Sequence, residues 1–89
     1  MDVLNAIKGI LTSEVLVEVA ADRMTLDDSL RDLYGLDSLG FVELRVQCEE
    51  IFDVVISDDD FAPDNFTTLG GVVALLERLV AAKDKTPVA

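Results

Sequence analysis

Apolar residues recur at the spacing of an amphipathic helix in several segments of this 89-residue chain, and this periodicity most strongly constrains the fold. The first segment follows Asp2, a suitable N-cap, and predicts a helix from Val3 to about residue 16. Residues 13–19 also alternate as a strand would, but the sequence offers no second strand to pair with them. We therefore predict an all-α fold.

Further caps and apolar stripes predict three more helices. In chain order these are a helix at residues 38–52 with Asp37 as its N-cap, a short helix at residues 58–62 introduced by Ser57 and stopped by Pro63, and a last helix from Thr67 or Thr68 to about Lys83. The predicted architecture is a small four-helix bundle with three long helices and one short helix. It forms a single domain over residues 1–83, followed by a frayed C-terminal tail at residues 84–89.

A long loop at residues 18–36 separates the first two predicted helices. Four of its apolar side chains are expected to pin it onto the bundle, namely Val19, Leu26, Leu30 and Leu33. Loops of this length without a helix of their own are uncommon in compact domains and are often functional.

The formal charge of −11 excludes several classes of function. An acidic chain is repelled by nucleic-acid phosphates and by anionic membrane surfaces, so we expect neither nucleic acid nor a membrane among its partners. The chain has no histidine, which rules out a Ser-His-Asp triad and a His-ligated zinc site. The acidic run at residues 58–60 lacks the spacing of a calcium loop, so no metal site is predicted.

The single cysteine, Cys48, excludes an intramolecular disulfide and points to a reducing compartment. The N-terminal residues lack the pattern of a signal peptide, and no uncharged run is long enough to span a bilayer. We expect a soluble, cytoplasmic monomer.

The second predicted helix carries two apolar faces, one more than a simple bundle helix needs. Its core side is predicted to consist of Phe41, Leu44, Cys48, Ile51 and Phe52. The opposite side carries an apolar strip formed by Leu39, Val42 and Val46. Around the strip lies an acidic rim formed by Glu43, Glu49, Glu50 and Asp53. The apolar strip either packs under the long loop or docks onto a protein whose apolar groove has a basic border, or both hold in part, with Leu39 covered and Val42 and Val46 open.

The distribution of charge favours the docking interpretation. Residues 27–64 contain 12 acidic side chains and only two basic ones, Arg31 and Arg45. A concentrated charge of one sign steers a partner of the opposite sign towards the surface that bears it.

Residues 35–44, Gly-Leu-Asp-Ser-Leu-Gly-Phe-Val-Glu-Leu, resemble the attachment motif of acyl carrier and peptidyl carrier proteins. The acidic pair at 49–50, the Phe-Asp at 52–53, and the Phe-Thr-Thr-Leu at 66–69 occur in the same register as in that family. The resemblance covers roughly residues 3–82 and is specific over 33–69.

This resemblance implies that Ser38 is the attachment site of a 4′-phosphopantetheine arm, installed by a phosphopantetheinyl transferase that uses coenzyme A. Asp37 would assist recognition by that transferase, and the second helix would be the docking face. The arm would carry an acyl or aminoacyl group as a thioester. Other implied partners are an acyl or aminoacyl ligase or acyltransferase, and a ketosynthase or tailoring enzymes. The chain would then be a carrier and not an enzyme.

Four departures from the commonest family pattern bear on the subtype: Tyr34, Gly40, Arg45 and Cys48. They favour a free-standing carrier of secondary metabolism, of the polyketide or nonribosomal peptide type, and leave a D-alanyl or fatty-acid carrier as the alternative. An acidic helical adaptor without a prosthetic group also remains open. A hydrolase with Ser38 as nucleophile would need a nearby lysine as its base, because histidine is absent.

Overall fold

A computed structural model describes residues 2–85, which form three α-helices joined by two long connections. The helices are α1, Val3–Ser13; α2, Ser38–Phe52; and α3, Leu69–Lys85; short 3₁₀ helices lie at Ala21–Arg23 and Pro63–Asn65. Residues 2–85 contain no strand, only an isolated bridge between Ser29 and Thr68, and the all-α prediction is confirmed. Of the predicted tail at 84–89, residues 86–89 lie outside the described residues.

The first helix ends earlier than predicted, at Ser13 instead of about residue 16. Leu16 adopts a left-handed backbone conformation with φ of 63°, and its neighbour Val17 donates its N–H back to the carbonyl of Leu11 at 2.9 Å. Beyond the helix, Val15, Val17 and Val19 are half-buried while the residues between them are exposed. The strand-like alternation therefore marks irregular backbone laid along the bundle after Ser13, and the prediction was wrong to extend the helix over residues 14–16.

The short helix predicted at 58–62 is also wrong in its position. These residues form turns, in which the Ser57 hydroxyl accepts a hydrogen bond from Asp60 N at 3.0 Å, as its capping role predicted. Pro63 starts the 3₁₀ helix Pro63–Asn65 instead of only stopping the preceding segment, because its fixed φ suits a first helical position.

The core is a single cluster to which all three helices contribute. Leu44, Cys48 and Phe52 of α2 are buried in it as predicted, and Phe41 is half-buried. Ile51 is 45 % exposed, so its assignment to the core was wrong. The buried residues of α3 are Leu69, Val72, Val73, Leu75 and Leu76.

The loop before α2 is anchored differently from the prediction. Of the four expected anchors only Leu30 is fully buried, Val19 is half-buried, and Leu26 and Leu33 are exposed. The residues of this loop that are buried are Met24, Leu30, Tyr34 and Leu36. Successive tight turns change the direction of each side chain, so neither helical nor strand periodicity predicts which residues point inward.

Backbone hydrogen bonds fasten the same loop to the start of α3. Leu30 N donates to Thr67 O at 3.0 Å, and Gly70 N donates to Leu26 O at 2.8 Å. A β-carbon on Gly70 would lie 2.9 Å from the Leu26 carbonyl oxygen, closer than real contacts allow. Glycine at position 70 therefore lets the loop and α3 approach closely enough to form these bonds.

A side-chain network closes the loop on itself. The Asp28 carboxylate accepts hydrogen bonds from Thr25 N at 2.7 Å, from the Thr25 hydroxyl at 2.7 Å and from the Tyr34 hydroxyl at 2.8 Å. The two bonds from Thr25, followed by the bond from Tyr34, lower the pKa of Asp28. Burial raises the pKa of Tyr34 above its ordinary value of 10.0, and the bond to the negatively charged Asp28 raises it further.

Alkaline titration of Tyr34 should therefore show a phenolate midpoint well above pH 10 in the folded protein. The unfolded chain ionises near pH 10, so the raised pKa of Tyr34 contributes its full stability below pH 10, and this contribution is lost as the pH rises through the native midpoint. Tyr34 is the only tyrosine and the chain has no tryptophan, so ultraviolet absorbance follows this one group. A native midpoint at the value of the denatured protein would contradict the buried hydrogen bond, and Tyr34→Phe is the blank.

Candidate functional site

The start of α2 is fixed by the loop that precedes it. Gly35 takes a left-handed conformation with φ of 75°, which L side chains adopt rarely. The next residue, Leu36, is buried and donates its N–H to Leu30 O at 3.0 Å. Asp37 is the N-cap, as predicted, and its carboxylate accepts the Gly40 N–H at 2.9 Å. The first turn of α2 therefore has a defined position relative to the bundle.

Ser38 is the first residue of α2 and is exposed. Its hydroxyl makes no hydrogen bond within residues 2–85, and the backbone N–H groups of Ser38 and Leu39 have no partner there either. Unpaired N–H groups and the helix dipole favour a negative charge at this end of a helix by about 0.3–1 kcal/mol. The site thus offers a free hydroxyl in a position that stabilises an anion attached to it.

An open cavity of about 570 Å³ lies beside Ser38. Its apolar part comes from α2 and from the connection before α3: Phe41, Val42, Phe61, Pro63 and Phe66. The rings of Phe61 and Phe66 meet edge to face with centroids 4.8 Å apart. Its polar lining residues are Ser29, Arg31, Asp32, Ser38 and Thr67.

Sequence reasoning missed the role of Phe61 and Arg31 in this cavity, because both lie in turns where no periodicity applies. For Arg31 the available signal was its rarity, since it is one of only two bases in residues 27–64.

The apolar strip of α2 faces solvent. Leu39 is 80 % exposed, Val42 50 % and Val46 39 %, so the alternatives in which the loop covers the whole strip or Leu39 alone are wrong. Three exposed apolar side chains on one helix face, beside a free hydroxyl, form a surface suited to a protein partner.

The acidic rim is uneven. Glu43 is half-buried and accepts a hydrogen bond from the Gln47 amide at 3.0 Å. Glu50 is exposed, and Asp53 forms an ion pair with Lys83 at 3.5 Å. Glu49 differs from the other three because its carboxylate accepts the Ile56 N–H at 2.9 Å, which gives it a structural role.

Arg45, which the sequence marked as unusual in an acidic helix, is also used structurally. Its guanidinium donates to the Ile56 carbonyl oxygen, forms an ion pair with Asp58 at 3.2 Å and lies 4.8 Å from the centroid of the Phe61 ring. Together with Glu49 it holds both polar groups of the Ile56 backbone against α2. This anchor places Phe61 in the cavity wall.

Among the side chains of residues 2–83 the structure brings no group of three or more His, Cys, Asp or Glu into an arrangement that could hold a metal ion. None of the helices in the same part of the chain has the length and apolar character needed to cross a membrane.

Comparison with known proteins identifies what the geometry serves. Residues 5–76 match the family model described as "Phosphopantetheine attachment site". An acyl carrier protein of Phytoplasma australiense is 35 % identical over 79 residues, which are 89 % of this chain and 99 % of that protein. A D-alanyl carrier protein of Abiotrophia defectiva is 39 % identical over 69 residues, 78 % of this chain and 87 % of that protein.

A solved structure agrees with these relatives. The solution structure of a holo acyl carrier protein from Nitrosomonas europaea matches with a TM-score of 0.78 and 27 % identity, covering 91 % of this chain and 99 % of that one.

The cofactor of this family is covalently bound 4′-phosphopantetheine, and the exposed, unbonded hydroxyl at a helix N-terminus fits such a group. Proteins of the family interact with phosphopantetheinyl transferases and with biosynthetic enzymes, and they are carriers and not catalysts. The chain belongs to the phosphopantetheine-bearing acyl carrier protein family.

Proposed function

We propose that Ser38 carries the phosphopantetheine arm and that this chain tethers an acyl or aminoacyl intermediate between biosynthetic enzymes. The observation that supports this most strongly is the exposed Ser38 hydroxyl, free of hydrogen bonds within residues 2–85, at the first position of α2. The Ser38 oxygen would form a bond to phosphorus as the pyrophosphate of coenzyme A breaks, and adenosine bisphosphate would leave. The thiol of the arm supplies the thioester chemistry.

The chain needs no base of its own for this reaction, because the proton of the Ser38 hydroxyl is taken up in the active site of the transferase. The resulting phosphodiester is an anion, which the free N–H groups of Ser38 and Leu39 would stabilise. Asp37 would support recognition by fixing the first turn through its bond to Gly40.

We propose α2 as the docking face for the transferase, for the ligase or acyltransferase that loads the arm, and for the ketosynthase or tailoring enzymes that unload it. The apolar strip would enter an apolar groove of the partner, and Glu43, Glu50 and Asp53 would meet its basic border. Glu49 contributes charge there while its carboxylate holds Ile56.

For the pathway we propose the polyketide or nonribosomal peptide type. Gly40 leaves the first turn beside Ser38 without the acidic or polar side chain that many carriers have there. Two further departures have structural roles. Arg45 anchors residues 56–58, and Cys48 is buried in the core.

The second candidate is a D-alanyl carrier, which the 39 % identity to the Abiotrophia defectiva protein favours. The two candidates differ in cargo chemistry, since one carries acyl or varied aminoacyl groups and the other a single small amino acid. The mass of the group bound as a thioester in the native producer distinguishes them.

Counting reactive thiols in the native protein tests the carrier function. Cys48 is fully buried, and burial together with the charge of Glu49 raises its pKa to about 12, so it should react with a thiol reagent only after unfolding. Cys48 is the only cysteine, so the native count should be zero before incubation with coenzyme A and a broad-specificity phosphopantetheinyl transferase, and one afterwards. A count that stays at zero with an unchanged mass would contradict the carrier function and favour an adaptor without a prosthetic group.

A further inference from the structure

Arg31 is the only basic residue that lines the cavity beside Ser38. Its guanidinium carbon lies 5.9 Å from the centroid of the Phe41 ring, on the same cavity wall. Among the side chains of residues 2–83 that of Arg31 forms no ion pair and no hydrogen bond, whereas Arg45 is paired with Asp58 and Lys83 with Asp53. A chain with 18 acidic side chains therefore leaves this cation uncompensated next to its functional hydroxyl.

Two carboxylates in the surroundings of Ser38 act against an anion attached there. Asp32 lines the same cavity, and the carboxylate of Asp37 lies at the start of the same helix. An anion attached to Ser38 gains from the helix N-terminus but is opposed by the negative charge of these carboxylates. Arg31 is the one side chain lining the cavity that can offset this repulsion, and its planar guanidinium suits two oxygens of a phosphate.

We infer that Arg31 is a positioning residue that binds the phosphodiester of the arm on Ser38 and directs the arm along the aromatic cavity. This inference rests on the proposed function, because it requires the arm to be attached at Ser38. The phosphodiester is present in every form of the protein that bears the arm. A carboxylate at the free end of a cargo is a second anion that Arg31 could bind. Beyond the phosphate, the geminal methyl groups of the arm would contact the rings of Phe41 and Phe61, which form the apolar wall.

Nuclear magnetic resonance of the arm-bearing protein tests the inference without any activity measurement. Wild type, Arg31→Gln, Arg31→Lys and the control Arg23→Gln are converted with coenzyme A and transferase until the intact mass shows complete attachment. Arg23 is exposed and does not line the cavity, so its replacement removes the same charge elsewhere. The readouts are the phosphorus resonance of the arm and the Overhauser contacts between its methyl groups and phenylalanine rings.

We expect these contacts in wild type and in Arg23→Gln, their loss with a shifted phosphorus resonance in Arg31→Gln, and recovery in Arg31→Lys. Identical spectra for wild type and Arg31→Gln, with the arm present in both, would overturn the role of Arg31 and leave the proposed function intact. Failure of every variant to gain the arm would overturn the proposed function itself.

The same spectra, recorded on protein whose arm carries a succinyl thioester, show whether Arg31 binds the phosphodiester or the carboxylate of the cargo. If contacts depended on Arg31 only in the succinyl form, the phosphodiester assignment would be wrong.

Discussion

Replacing Ser38 by alanine should abolish arm attachment completely while leaving the bundle folded. Ser38→Ala removes the one hydroxyl in the first turn of α2, so neither the added mass of about 340 Da nor a reactive thiol should appear. The N-cap bond from Asp37 to Gly40 is unaffected, and Ser38 is exposed, so the free energy of unfolding should change by no more than about 0.5 kcal/mol. Intact mass and chemical denaturation measure the two quantities.

Ser13→Ala is the matched control for this experiment. Ser13 is also exposed and its hydroxyl is likewise unbonded within residues 2–85, but it lies at the last residue of α1 instead of the first residue of a helix. Ser13→Ala should be modified as fast as wild type. Attachment to Ser38→Ala at the wild-type level would show that another hydroxyl carries the arm.

The second large effect is expected from a charge placed in the apolar strip. Val46→Asp should lower kcat/KM for arm attachment by about tenfold or more, because central apolar contacts carry most of the binding energy of protein interfaces. Val46 lies two turns from Ser38, about 12 Å along the helix axis, so the substitution does not touch the reacting hydroxyl. Its partial exposure means that the helix content measured by circular dichroism should stay the same.

Glu43→Lys separates the electrostatic part of docking from the apolar part. Its effect on kcat/KM should be largest at low ionic strength and shrink as salt is added, because a rim charge acts mainly through steering. For Val46→Asp the matched control is Leu16→Asp, which places the same charge on an exposed leucine in the loop after α1. Unchanged rates for both Val46→Asp and Glu43→Lys would remove α2 as the docking surface.

The parts of this molecule that follow helical periodicity were predictable from the sequence. The bounds of α2, its cap at Asp37 and the separation of Val42 and Val46 from the core side follow from the pattern of residues on a regular helix, although the same pattern wrongly placed Ile51 in the core. Thr68 caps α3 through its bond to Gly71 N, one of the two positions expected. These features depend only on residues a few positions apart in the sequence, because the backbone of a helix is regular.

The connections were not predictable in the same way. Leu33 points outward and Tyr34 inward because hydrogen bonds to α3 and to Asp28 orient the loop, and these partners are distant in sequence or apparent only after folding. The aromatic cavity depends on Arg45, which holds residues 56–58 against α2 and so places Phe61. A lone arginine in an acidic helix gives a composition signal but does not indicate its contacts.

The most direct test of the central claim is to locate the arm on the wild-type chain. After complete conversion with coenzyme A and transferase, under reducing conditions that exclude a disulfide with Cys48, the protein is digested and the peptide containing Ser38 is fragmented in a mass spectrometer. The account predicts that the added mass of about 340 Da resides on Ser38 and on no other residue. An added mass on a different residue, or no added mass at all, would contradict it.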